Sequence, residues 1–284
     1  MIKENFAAFI LSHGRADNVR TYDLLLKSGY TGKIFILIDN EDKTIDEYKK
    51  KFGNKVIVFN KKEIADKIDT MDNFEGRKAI VYARNANFQI AKELGIKYFI
   101  QLDDDYTGLY YRFNSINEWE SKNVYKLDNI LNSCLDFLKI TKAKSIAFAQ
   151  GGDFIGGAKG GFGKSLRLKR KCMNTWILDS DNPIDFIGKM NEDFTASIYY
   201  GSLGNLFFTL PQISVRQIET QKGGGGMTDI YLDNGTFVKT FYTIMTSPSC
   251  IKVSMMGETH RRIHHTTNWY NAVPVILNEQ YKKK

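Results

Sequence analysis

A chain of 284 residues with 43% hydrophobic and 25% charged side chains can form one large domain or two ordinary ones, and with only 4 prolines it is neither disordered nor fibrous. Its 40 basic and 32 acidic residues give a net charge of +8. Residues 151–175 hold six basic side chains against the single acid Asp153, a clustering that suits a polyanionic partner as well as plain solubility. Cys134, Cys172 and Cys250 are far apart and lack CxxC spacing, which excludes a disulfide framework or a cysteine zinc site and fits a reducing cytoplasm. The first apolar run, residues 6–11, is too short for a signal-peptide core, and no stretch approaches the roughly 20 apolar residues of a membrane span, so a soluble, non-exported protein is expected.

In chain order, 6–11 reads as a buried strand, 16–27 as a helix, 33–38 as a second strand ending at Asp39, and 55–59 as a third. Ile80, Ala83, Ile90, Ala91 and Leu94 follow a helical period over 79–94, stopped by Gly95 where a C-cap glycine belongs, and 98–102 is the fourth strand. This alternation predicts an α/β domain with a central, mostly parallel sheet. A helix at 127–140 and a strand at 145–149 follow. Seven glycines between 151 and 163 preclude a regular element there. After a second glycine run at 223–226 come a helix over 228–245 and strands at 250–254 and 262–267. No linker divides the chain, so one domain over 1–284 is expected, with a first half, 1–105, and a second, 106–284.

Asp103, Asp104 and Asp105 directly follow the fourth strand. In an open parallel sheet, ligands bind at the carboxyl ends of the strands, and three adjacent carboxylates repel one another unless a hard divalent cation neutralises them. The cluster therefore reads as a metal site, against the plainer reading of an acidic turn. Asn191-Glu192-Asp193 opens a further helical run, 194–200, where acids suit the helix dipole and a pair of them also suits acid–base chemistry. The basic run Lys164, Arg167, Lys169, Arg170 and Lys171, joined to the glycine segment, is expected to follow a phosphate backbone. AKGGFGKS at 158–165 loosely matches a phosphate-binding loop, but about eight residues separate it from the preceding strand.

Ala83-Arg84-Asn85, Ala91, Gly95 and Leu102-Asp103-Asp104-Asp105 resemble the nucleotide-binding half of glycosyltransferases of the GT-A fold. The opening SHGRADN, GRKAIVYARN, the glycine-rich middle, NEDF and HRRIHH with Trp269, Ala272 and Pro274 are in turn similar to the TET-associated glycosyltransferases of bacteriophages; Leu11, in place of a proline, is a departure from that group. The resemblance implies a UDP-sugar donor with Mn²⁺ or Mg²⁺ on its diphosphate. Asp105 would be the principal metal ligand, Asp103 would touch the ribose or the metal, and His264 or His265 would complete the shell. Ser12, Gly14, Arg15 and Asp39 would hold the nucleoside, with Arg84 and Asn85 near the diphosphate and base; for Arg84 a solvated helix cation is the plainer reading. Asp193 would take the acceptor proton, with Glu192 supporting the acceptor. The implied acceptor is double-stranded phage DNA carrying 5-hydroxymethylcytosine or 5-hydroxymethyluracil, in the cytoplasm of a bacterial host and without membrane contact. Tyr106, Tyr110, Tyr111 and Phe113 would offer a stacking surface if the base is flipped out. A polysaccharide acceptor, a metal-dependent nucleotidyltransferase and a non-catalytic binding protein are the competing readings.

Overall fold

Strands that are apolar at every position must be covered on both faces, and the first strand, FAAFIL, is of that kind. The computed structural model describes residues 1–2, 5–73, 76–164, 171–218, 238–257 and 261–282. Its strands are β1 (Phe6–Leu11), β2 (Lys33–Asp39), β3 (Val56–Phe59), β4 (Tyr98–Asp103), β5 (Tyr106–Phe113), β6 (Trp119–Asn123), β7 (Ser145–Gln150), β8 (Trp176–Asp179), β9 (Phe207–Gln217), β10 (Ile251–Met256) and β11 (Arg262–Thr267). Its α-helices are α1 (Arg20–Lys27), α2 (Ile45–Phe52), α3 (Lys61–Ala65), α4 (Val81–Glu93), α5 (Leu127–Thr141), α6 (Gly161–Lys164), α7 (Glu192–Ser202), α8 (Val238–Thr246) and α9 (Trp269–Ala272).

Nine strands form one sheet in the order β3-β2-β1-β4-β8-β7-β9-β5-β6, while β10 and β11 form an antiparallel pair. The first four strands run parallel, as their alternation with helices predicts. Beyond β4 the sheet is mixed rather than mostly parallel, because β8 runs antiparallel to both its neighbours and β5 antiparallel to β9.

Period-two alternation sends Ala8 and Ile10 of β1 into a core with Leu25 of α1 and Leu131 and Leu135 of α5, and Ala7, Phe9 and Leu11 into the opposite core with Val81, Phe88 and Ile90 of α4. A third, smaller core of Phe194, Ile198, Cys250, Ile251 and Ala272 ties the β10–β11 pair to α7. Gly95, at φ +65, closes α4 in the left-handed region, as expected of a C-cap glycine. Within 151–164 the described residues form short 3-10 turns and α6, and the rest of the loosely matched phosphate-binding loop lies outside the described residues. Residues 223–226 and the first part of the expected 228–245 helix lie outside the described residues. Cys134, Cys172 and Cys250 are buried and form no disulfide. Among the described residues no helix is long and apolar enough to cross a membrane.

Candidate active site at the carboxyl ends of the parallel strands

Because β1 to β4 are parallel and adjacent, the residues that follow each of them meet at one edge. Thr21, in the first turn of α1, fixes the turn after β4. Its hydroxyl donates to the Asp103 carbonyl (2.6 Å) and accepts from the Tyr106 amide (3.0 Å), while its own amide donates to the Asp104 carbonyl (3.1 Å). The three carboxylates then diverge. Asp104 accepts from Ser12 Oγ at 2.5 Å and from Arg15 Nη1 at 3.1 Å, which ties the β1 loop to the β4 turn. Asp103 faces Arg84, and burial outweighs that cation to push the carboxyl up to about 7. The Asp105 carboxylate makes no ion pair or hydrogen bond to another described residue; burial and then Asp104 push it up to about 6, against Arg15.

At the end of β2, Asp39 accepts from His13 Nδ1 (2.8 Å) and Lys61 Nζ (3.0 Å), while the Gly14 amide donates to Asp42 Oδ2 (2.7 Å). Burial opposes the Asp39 charge, but these two donors hold its carboxyl below the usual range. The same hydrogen bond raises His13 above its ordinary 6.5. Its folded value exceeds its unfolded one, so His13 protonation stabilises the loop fully below pH ~6.5 and that contribution disappears as pH rises through the folded value. Asp39→Asn should bring the His13 midpoint, read by NMR titration of the ring protons, back towards 6.5. An unchanged, elevated midpoint would show that Asp39 does not hold the imidazole.

Arg84, on α4, joins the two acidic motifs. The side chain is 2% exposed, and its Nε donates to Glu192 Oε1 at 2.8 Å while Nη2 lies 3.3 Å from Asp103 Oδ1. Gln101 receives Nη1 at 3.4 Å and donates to the Arg84 carbonyl at 3.1 Å. Burial works against the guanidinium charge, but Asp103 and Glu192 hold it protonated. It is therefore not a solvated helix cation. Asn191, at φ +55, opens α7 and donates its amide to the Lys239 carbonyl (2.9 Å) and Thr243 Oγ1 (3.2 Å) of α8. Glu192 and Asp193, 5% and 7% exposed, occupy the first turn, where the helix dipole favours anions. Burial, then Asp193, raises the Glu192 carboxyl. Asp193 Oδ1 accepts from the Phe194 amide at 2.7 Å.

An acidic strand end and an acidic helix start, 89 residues apart and bridged by one buried arginine, make a single site, and residues 6–226 match the family model for the TET-Associated Glycosyltransferase. The chain belongs to that family. The strand order and the carboxylates after β4 are the arrangement expected of the GT-A-type α/β fold. Among solved structures this TET-associated glycosyltransferase is similar to the mannosyltransferase PcManGT from Pyrobaculum calidifontis, in complex with GDP-Man and Mn²⁺, at 9% identity and a TM-score of 0.45, over 77% of this chain and 58% of that one. It is similar to glucosyl-3-phosphoglycerate synthase from Mycobacterium tuberculosis, in complex with Mn²⁺, UDP and phosphoglyceric acid, at 8% identity and a TM-score of 0.44, over 92% and 86% of the two chains. For S. aureus TarS the figures are 12%, 0.41, 76% and 61%. The chain thus spans less than two thirds of PcManGT and of TarS. No curated protein sequence gives a significant match.

Other expected site residues of this glycosyltransferase are placed differently. Asn85 spends its amide inside the protein, donating to the Val81 and Phe186 carbonyls and accepting from the Phe186 amide, so it anchors the loop before α7 instead of facing a base. Tyr106 is 1% exposed and belongs to the core, not to a stacking surface. His264 and His265 were expected on opposite faces of β11, yet their rings stand 4.5 Å apart, with His265 also 4.7 Å from Phe194. Burial lowers both imidazoles, and Lys171 and Lys239 lower them further, with Arg262 adding to the effect on His264. A dication beside that pair meets positive charge, and among the described residues no three His, Cys, Asp or Glu side chains form a metal-holding group. Arg167, Lys169, Arg170, His260 and the Lys164 side chain lie outside the described residues. Lys171 is half-buried, its Nζ 5.9 Å from the Phe194 ring. His13, Tyr48, Lys61 and Gln101 were missed by sequence reasoning. Lys61 had one usable signal, its position directly after the third predicted strand, which puts it at the same sheet edge.

Proposed function

We propose that this enzyme transfers a sugar from a UDP-sugar to the hydroxymethyl group of 5-hydroxymethylcytosine or 5-hydroxymethyluracil in duplex phage DNA, in the cytoplasm of the host. The observation that carries the reading is the buried Arg84 bridge, which fixes the aspartates after β4 against the acids that open α7. In this reading residues 1–105 hold the donor and residues 106–284 the acceptor, within one domain.

The donor set fits a hard cation. Asp105 is unengaged by other described residues, Asp103 lies two positions away, and both are raised carboxylates that a dication would ionise. Two carboxylates without an all-protein cage suit an ion of the Mg²⁺ kind, which is bound through one or two carboxylates plus substrate phosphates. When bound, such an ion supplies Lewis-acid stabilisation of the charge on the departing diphosphate. His264 and His265, among cations, belong on the anionic side of the diphosphate in this reading and not in the metal shell. Ser12, Gly14, Arg15 and Asp39 shape the nucleoside end, with His13 and Lys61 fixing Asp39. Asp193 takes the proton from the acceptor hydroxyl as its oxygen bonds to the anomeric carbon and the bond to UDP breaks; Glu192, held by Arg84, keeps the first turn of α7 in place. The net charge of +8 and the basic residues of 151–175 support a polyanionic acceptor.

Incubation with UDP-sugars and Mn²⁺, on duplexes with and without hydroxymethylated pyrimidines, tests the reading by intact mass of the strands. A gain of one sugar on the modified strand alone is expected; UDP release with no gain on DNA would move the acceptor elsewhere. Asp193→Asn should leave UDP affinity nearly intact and slow transfer by roughly a hundredfold or more. Collapse of UDP affinity with normal turnover at saturating donor would make Asp193 a helix cap alone.

A further inference from the structure

Arg112 lies on β5, seven residues beyond Asp105, and its surroundings are unlike those of the arginine in the carboxylate site. Tyr110 and Arg112 share a face of the strand by alternation, and the pairing of β5 with β6 is irregular between Tyr111 and Phe113. The guanidinium carbon sits 5.0 Å from the Tyr110 ring centre, 5.0 Å from Phe154 and 5.6 Å from Trp119. Those rings are fixed in turn: Trp119 lies 5.4 Å from Phe154, and Phe113 stands edge-on to both. Nε donates to Ser214 Oγ at 2.6 Å and Nη1 to Ser121 Oγ at 2.9 Å.

A guanidinium has five N–H donors, and these two bonds leave three without a protein acceptor among the described residues. No described carboxylate faces it. The charged neighbour acting on it is Arg216, of like sign and exposed on β9, so burial and Arg216 together weaken its hold on its proton. A half-buried cation in this position is offset by ring faces and hydroxyls alone, which is costly unless an anion arrives. The site is also built into the base of the basic segment: Phe154 closes the turn that opens the glycine run, and Gly157 packs against the Trp119 indole.

We propose that Arg112 and Arg216 form a phosphate seat for the acceptor strand of a nucleic acid, an inference that rests on the DNA-acceptor reading. The planar fork with open donors matches a phosphodiester, and rings that hold the side chain still reduce the ordering cost of binding. Seven strand residues reach at most about 24 Å, so the seat lies within about seven base pairs of the aspartates after β4. That is the reach of a duplex contacting both places at once. Because the rings are occupied by the guanidinium, Tyr110 and Trp119 serve here as supports for a phosphate contact and not as a platform for a flipped base.

The test is the salt dependence of duplex binding, followed by fluorescence anisotropy, for the full-length wild type, Arg112→Gln and Arg216→Gln, with UDP release in the absence of DNA as control. Each variant should flatten the slope of log affinity against log salt by about 0.9, alike on modified and unmodified duplexes, with UDP release unchanged. Arg216→Gln removes an exposed side chain and decides the matter if Arg112→Gln does not fold. A steep wild-type slope that both folded variants, or Arg216→Gln alone in that event, retain in full overturns the seat and leaves the DNA reading standing. A wild type with no salt-dependent duplex binding overturns the DNA reading and the seat with it.

Discussion

Arg84→Met is expected to destabilise the folded protein by about 3–5 kcal/mol, the cost of breaking a buried ion pair by removing one partner. The expectation follows from position: the guanidinium is 2% exposed and stands between Asp103 and Glu192, both of which burial already pushes towards their neutral forms. Without the cation, two desolvated carboxylates face each other and Gln101 loses a donor. The double variant Arg84→Met, Glu192→Gln should recover a substantial part of the loss, since it removes one of the charges left behind. Urea unfolding at pH 7 measures both. A loss of about 1 kcal/mol or less for the single variant is the value of an exposed pair, and would mean that Arg84 does not bind the two motifs together.

Asp105→Asn is expected to lower turnover by roughly a hundred- to a thousandfold at saturating Mn²⁺, with little change in stability. The magnitude is that of losing one preorganised group that stabilises developing charge. The small stability effect follows because the carboxylate contacts no other described residue as an ion pair or hydrogen bond, and because neutralising one of three adjacent acids relieves repulsion. Asp104→Asn should behave differently: Asp104 is engaged by Ser12 and Arg15, so its loss should loosen the β1 loop and weaken donor binding. Steady-state UDP release, measured beside thermal unfolding, separates the two. Undiminished turnover in Asp105→Asn would remove that residue from the metal site.

The parts of the site carried by continuous segments were legible in the sequence. An apolar run ending in three aspartates could only be a buried strand with charge at its end, and Asn191-Glu192-Asp193 before a helical run could only be a helix start. What escaped depends on which segments become neighbours. His13 and Lys61 find Asp39 because β1, β2 and β3 are adjacent, and nothing in 61–65 alone announces that. Arg84 looked like a surface cation because a buried arginine differs from an exposed one only in what packs against it. β9 escaped because Pro211 interrupts its pattern; the proline sits where the pairing with β7 slips between Phe148 and Ala149, so no ladder hydrogen bond is lost. β6, reading WESKN, is an edge strand with charged side chains and has no apolar alternation to betray it. The rings of His264 and His265 came out 4.5 Å apart although the β10–β11 register is unbroken, a closeness that strand alternation alone does not foretell.

The strand-end aspartates and the acids of α7 are expected to act as one metal-dependent sugar-nucleotide site, and calorimetric titration of UDP into the wild-type protein in Mn²⁺ and in EDTA reads that dependence. Mn²⁺ should tighten UDP at least tenfold, and Asp105→Asn should abolish the enhancement while Asp193→Asn preserves it. Equal affinity for UDP with and without the cation in the wild type would mean that the strand-end aspartates hold no cation against the nucleotide.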